Sequence, residues 1–221
     1  MSRASTVSRS AVEVAAGGVR LQGDLTVPDA ASGLVLFAHG SGSGRRSPRN
    51  RFVAESLQAA GLATLLFDLL TEEEERRERF TRHLRFDIDL LIGRLTAATD
   101  WAADRPELQG RKIGLFGAST GAAAALGTAA ARPDVAAVVS RGGRPDLAPE
   151  SALQAVRAPT LFIVGGEDAT VLELNRRTLE RMSAPVMLEV VPGASHLFEE
   201  PGALERAAEL AREWFKTYLA G

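Results

Sequence analysis

The feature that most constrains this chain is a repeated alternation of two patterns. Short, almost wholly apolar runs are separated by longer stretches whose apolar residues recur every three or four positions. A strand covered on both faces reads as a continuous apolar run, because neither face meets water, and the helices between such strands supply the cover. The runs are 33–38, 63–68, 112–116, 135–139, 160–164 and 186–191. Helical spacing is read near 49–60 (Val53, Leu57, Ala60), from Ile88 through Leu91, Ile92 and Leu95, after residue 119 in an Ala-rich stretch, and near 171–182. A last helix is predicted over 201–219, with Leu204, Ala207, Ala208, Ala211, Trp214, Phe215 and Tyr218 on one face. The expectation is an α/β fold: a mostly parallel central sheet with helices on both faces. Ahead of it, 11–27 reads as an N-terminal hairpin. Val12 and Val14 alternate, Gly17-Gly18 makes the turn, and Val19, Leu21, Leu25 and Val27 alternate again. Residues 1–10 are polar and are expected to be flexible. One domain over 1–221 is expected, with no separate lid domain.

Composition removes several functional classes. With no cysteine, disulfides, thiolate nucleophiles and cysteine-ligated metals are excluded. A formal net charge of -2 gives no field for nucleic acid, so no nucleic-acid partner is expected. No apolar stretch has the length of a membrane span, and no apolar run follows the polar start. A cytoplasmic location, no membrane partner and a monomer or homodimer are expected.

The chemistry is carried by Gly117-Ala118-Ser119-Thr120-Gly121, a Gly-x-Ser-x-Gly motif between an apolar strand and a helix. A sharp strand-to-helix turn crowds the central residue, and glycines on either side give the clearance because they lack a Cβ. The turn lifts the Ser119 hydroxyl out at the positive end of a helix. The plain alternative is an ordinary N-cap serine. A hydroxyl is a poor nucleophile near neutral pH and needs an imidazole beside it. Among three histidines, His196 follows the last strand, at the sheet edge where Ser119 emerges. Asp168, after the fifth apolar run, is the acid expected to orient the imidazole; Asp146 is the other candidate, and Glu167 would face away. The loop His39-Gly40-Ser41-Gly42-Ser43-Gly44 would donate the Ser41 N–H to an oxyanion, with the Thr120 N–H as second donor. Such a donor contributes on the order of 10²–10³ in rate. His39 is read as a brace for this loop. The same strand, turn, helix and Asp68 resemble a dinucleotide-binding unit, but Arg45 stands where its third glycine belongs.

Taken in order, His39-Gly-Ser-Gly, Gly117-Ala-Ser119-Thr-Gly121, Gly166-Glu-Asp168 and Ser195-His196 make the chain resemble the α/β-hydrolase superfamily. Within it, the chain is similar to the dienelactone-hydrolase-like group, from the hairpin to the last helix. The resemblance implies the α/β-hydrolase fold and a Ser119–His196–Asp168 triad. Dienelactone hydrolases proper carry a cysteine nucleophile; the serine here points to ester hydrolysis in general.

The expected function is a carboxylic ester hydrolase acting on small esters or lactones through an acyl-enzyme on Ser119, with no metal and no cofactor. A non-catalytic ligand-binding protein and an acyltransferase on the same scaffold are the alternatives. Arg45 and Arg141 stand in loops that should open on the catalytic edge. They are candidates for binding a substrate carboxylate, against the plainer reading of solvated or paired arginines. The charged run 71–85 reads as an exposed helix with i,i+4 pairs, or more sharply as a flap over the site; His83 within it is expected to face solvent.

Overall fold

The computed structural model describes residues 7–220. Its centre is one eight-stranded sheet in the order β1-β2-β4-β3-β5-β6-β7-β8. The strands are β1 (Val7–Ala16), β2 (Val19–Pro28), β3 (Gly33–Ala38), β4 (Ala63–Phe67), β5 (Lys112–Ala118), β6 (Val135–Arg141), β7 (Thr160–Gly165) and β8 (Val186–Val191). The hairpin pair β1–β2 is antiparallel, β2 joins β4 antiparallel, and every pairing from β4 to β8 is parallel. The inner strands β3, β4 and β7 are buried along their whole length, as a run without polar alternation requires.

Helices cover both faces. On one lie α1 (Pro48–Ala59) and α7 (Ala203–Leu219); on the other lie α3 (Ile88–Ala103), α4 (Thr120–Ala131), the short α5 (Glu150–Ala155) and α6 (Ala169–Leu179). The charged α2 (Glu72–Thr81) hangs outside these layers. α7 buries Ala207, Ala208, Ala211, Phe215 and Leu219. A large apolar side chain withdrawn from water contributes roughly 1.5–3 kcal/mol, so Phe215 and Leu219 alone hold this helix firmly. α4 is buried nearly all round, which explains its run of alanines and Gly127, whose absent Cβ leaves room for Ile92 of α3.

The sequence reading differs from the structure in a few places. Residues 7–10, expected to be flexible, extend β1 and pair Val7 to Pro28 through Ser10 to Leu25. Their side chains face solvent on an edge strand, so no alternation marks them. Residues 1–6 of that expectation lie outside the described residues. The third and fourth apolar runs extend to Ala118 and Arg141, and both extensions enter the site. α5 carries too little pattern to be read. No helix among the described residues is long and apolar enough to cross a membrane.

Strand order reverses between β3 and β5. The chain leaves β3 for α1 on one face and leaves β5 for α4 on the other. A crevice therefore opens beyond the carboxyl ends of these two strands, where open parallel sheets place their ligand sites.

Candidate active site

The elbow after β5 is built by close approach. A Cβ on Gly117 would fall 2.5 Å from Ala122 Cα, and one on Gly121 would fall 2.1 Å from the Ala38 carbonyl oxygen. Only glycine lets α4 fold back on its own strand and touch the end of β3. Ser119 between them takes φ 50° and ψ -123°. A non-glycine residue there carries strain of about 1–3 kcal/mol, which the surroundings must hold. The Ser119 N–H donates to the Arg141 carbonyl (3.4 Å), and its own carbonyl accepts from Arg144 N–H (3.0 Å) and Ala122 N–H (3.1 Å). The side chain makes no capping bond to α4, which disposes of the ordinary N-cap reading.

β6 lies beside β5, and β8 feeds the loop that arrives above them. A Cβ on Gly142 would stand 3.1 Å from the His196 carbonyl oxygen and 3.7 Å from ring atom Cε1. Gly142 directly follows Arg141, whose register partner is Ala118, so the imidazole stands beside the elbow. His196 Nδ1 donates to Asp168 Oδ2 at 2.6 Å. The same carboxylate caps α6, accepting from Val171 N–H at 3.4 Å, so the start of a helix fixes the acid's position. Ser195 N–H donates to Glu200 (3.0 Å), tying down the loop next to His196. The Ser119 hydroxyl and the imidazole are not hydrogen-bonded to each other in this structure. Asp146, the rival acid, forms two 2.8 Å bonds with Arg144 instead. That pairing raises the Arg144 pKa and leaves Asp168 as the partner of the ring.

Gly40 comes so near the elbow that a Cβ on it would touch Ser119 Cβ at 2.9 Å. Ser41 and Thr120 line one small cleft with Gly40. Among the described residues neither N–H donates to a backbone carbonyl in loops or turns, and Thr120 opens α4, where N–H groups have no helical acceptor. The loop is held by His39: Leu69 N–H donates to Nε2 (2.9 Å), and Nδ1 donates to the Gly40 carbonyl (3.0 Å). Burial lowers the His39 pKa, against the backbone bond and the neighbouring Asp68 and Glu75, so the ring is a neutral brace.

The two arginines fare differently. Arg45 is bound to Asp68 through both its N–H (2.7 Å) and its guanidinium, with Asp24 3.7 Å away. It ties the loop to the end of β4 and does not present a free cation; this pairing also occupies the acid of the dinucleotide reading. Arg141 is buried behind the elbow. The segment 71–85 forms α2 with the Arg77–Glu73 pair expected of an exposed helix, and His83 faces solvent. Sequence reasoning missed Glu78. This fully buried carboxylate accepts from Thr81 (2.7 Å), from the N–H groups of His83, Leu84 (2.9 Å each) and Arg85 (3.1 Å), and from Arg85 Nε (3.1 Å). Burial alone would raise its pKa, but these donors hold it at about 2. They also seat Arg85 over Gly42, in the cleft of Ser41 and Thr120. Among the described residues no group of three or more histidines and carboxylates is placed to hold a metal.

The fold and the strained elbow define a protein of the α/β-hydrolase class. The dienelactone hydrolase family profile matches residues 25–219, and the chain belongs to that family. A dienelactone hydrolase from Anabaena variabilis is 60% identical, with a TM-score of 0.94 over 96% of this chain and 99% of that one. An esterase of Pyrococcus furiosus is 20% identical, with a TM-score of 0.77 over 96% and 92%, and shares the fold. A Mycobacterium tuberculosis protein, provisionally named a phosphoribosyl transferase, is 58% identical over 95% of this chain but only 46% of its own length. The chain thus spans about half the length of these curated relatives.

Proposed function

We propose that the protein is a serine hydrolase of small carboxylic esters or lactones. The observation that carries this is the Asp168–His196 hydrogen bond beside a serine held at positive φ with its hydroxyl unclaimed by the helix it opens. With Nδ1–H bound to Asp168, Nε2 keeps its lone pair for the Ser119 proton. Ser119 Oγ adds to the carbonyl carbon as that proton passes to Nε2. The carbonyl oxygen, now an oxyanion, accepts from Ser41 and Thr120 N–H. The C–O bond to the alcohol breaks, and the alcohol leaves with the proton from His196. Water then adds to the acyl group, again with Nε2 as base, and Ser119 is regenerated. Proton transfer requires Nε2 and Oγ to come within about 3 Å when substrate binds.

The His196 side chain is 40% exposed, which favours water as the acceptor over a transferase alcohol. The phosphoribosyl transferase name belongs to chains about twice as long, and the chemistry of Ser119 and His196 is acyl transfer. The proposed reaction calls on no metal or cofactor, and the proposal includes a cytoplasmic location. Ser119→Ala is expected to lower kcat on a short activated ester by at least about 10³-fold with an unchanged circular dichroism spectrum. A fluorophosphonate should label the wild type stoichiometrically at Ser119. Retained turnover, or a protein that binds esters without labelling, would overturn the reading in favour of a non-catalytic binding protein.

A further inference from the structure

The sheet has two open edges, and they are guarded differently. An edge strand presents unpaired N–H and C=O groups to any strand that approaches, and proteins blunt such edges with charged and polar side chains. β1 carries Ser8, Arg9, Ser10 and Glu13 along its exposed length, and Glu13 is paired with Arg20 of β2. β8, at the other edge, runs Val186-Met-Leu-Glu-Val-Val191 and has Glu189 as its one charge. Met187 and Val190 stand 48% and 38% exposed.

Which backbone groups of β8 are free follows from its bonds to β7. Thr160 N–H donates to the Pro185 carbonyl and Gly166 N–H to the Val191 carbonyl, both at 2.9 Å. Backbone groups alternate in direction along a strand, so odd-numbered residues face β7, while Val186, Leu188 and Val190 turn theirs outward. Among the described residues, no backbone hydrogen bond from a loop or turn reaches these three. Side chains alternate as well. Val186 and Leu188 pack, with the half-buried Leu179 and Met182, against the core beneath α3 and α4, and Val190 shares their face. Met187 and Glu189 share the face of Val191, on the α1–α7 side.

This strand is complementary to itself. Set antiparallel to a second copy about a two-fold axis at Leu188, it pairs Val186 with the partner's Val190 and Leu188 with the partner's Leu188. The outward N–H and C=O groups of all three residues then find each other. One face gains branched apolar pairs, which stabilise a sheet; the other sets Met187 opposite the partner's Glu189 and keeps the two carboxylates out of direct opposition. Neighbouring registers fit less well. Sliding one way puts Glu189 against the partner's Glu189 and Val186 against the partner's Pro192, which has no N–H. Sliding the other way carries the partner's Val190 past Pro185 to Ala184, beyond the strand. A stable interface buries roughly 1,200–2,000 Å² over both partners; Leu179 and Met182, just before β8 in the chain, add apolar area to that of the strand. The plainer role, an edge that Glu189 keeps unpaired, accounts for the charge but not for two exposed apolar side chains beside it. In the symmetric register that acid meets a thioether, so it does not oppose self-pairing.

We propose that β8 is the dimer interface of this protein: two copies join edge to edge through antiparallel β8 strands, merging their sheets into one. Sedimentation over a range of concentrations should show a species of twice the chain mass. Val190→Lys places a cation where the partner's Val186 must sit. It should raise the dimer Kd by about tenfold or more, with an unchanged circular dichroism spectrum. Charge and cross-linking read the register. Met187→Lys faces the partner's Glu189 and should tighten the dimer in a way that salt reverses; Met187→Glu should loosen it. Because the chain has no cysteine, an introduced one reports a single position. Leu188→Cys lies on the axis, where paired Cα atoms stand about 5.5 Å apart, within reach of a disulfide, and should cross-link two chains on oxidation. Val190→Cys, whose mate is Val186, should not.

A monomer at every concentration, a dimer that survives Val190→Lys, or Val190→Cys cross-linking as readily as Leu188→Cys overturns the proposal. If Val190→Lys does not fold, the two Met187 variants and the cross-links decide the matter.

Discussion

His39 uses both ring nitrogens to join three segments: β3, from which it emerges, the Gly40 turn, and the Leu69 N–H after β4. Its neutral form is built in, because Nε2 must accept while Nδ1 donates. Replacing it with phenylalanine leaves a buried N–H and carbonyl unpaired, at a cost of about 2–4 kcal/mol, and loosens the turn that carries the Ser41 N–H. We expect His39→Phe to lower both the melting temperature and kcat. The sign of the pH effect follows from the lowered pKa. Below the ordinary histidine value of 6.5 the unfolded chain takes up a proton that the folded ring refuses, so the stability His39 brings falls as the solution is acidified. Denaturant titrations at pH 7 and pH 5 should show a smaller acid loss in His39→Phe than in the wild type; equal losses would remove His39 as a source. The brace role was legible because the neighbouring Gly-Ser-Gly turn demanded a support. The partners of Arg45 and Arg141 were not, since spacing along a chain does not say which acid a long, flexible cation meets after folding.

At the scale of elements, α2 shows what a charge pattern conceals. Glu72 to Glu78 reads as a solvated helix, and most of it is one, with Thr71 and Glu74 forming a reciprocal cap. Yet Glu78 turns inward and organises the chain from Thr81 to Arg85, a destination that one more acid in an acidic run does not announce. Glu78→Ala should lower the melting temperature and speed amide exchange at His83, Leu84 and Arg85, with Glu78→Gln intermediate. Unchanged exchange at those amides would show that the segment holds itself. Its contribution is complete above the ordinary value of 4.5 and is lost as pH falls toward 2, so this clamp and the His39 brace both weaken in acid. The strands were far more legible: β3 and β8 begin and end at the predicted residues, β3 as an apolar run buried along its whole length and β8 as an edge strand that carries Glu189 and buries only Val191. The ends of β5 and β6 ran past the pattern where Gly117, Ala118 and Arg141 continue the pairing into the site.

Taken as a whole, the molecule keeps its site groups at one rim. Ser41 follows β3, Ser119 follows β5, Arg141 ends β6, Asp168 follows β7 and His196 follows β8. The opposite rim holds the turns that enter these strands, among them 104–111 before β5 and 132–134 before β6. Inserting two glycines into the first of these turns should leave ester turnover within a few-fold, whereas the same insertion after Gly142 should abolish it, with both proteins still folded by circular dichroism. Equal losses would mean that the turn opposite the site matters to catalysis in a way the fold does not suggest.

Asp168 belongs at once to a helix start and to the imidazole. Any thermal fraying of the first turn of α6 therefore reaches the ring directly, and the temperature at which turnover begins to fail should track the melting of that single turn, below the unfolding of the sheet that carries it.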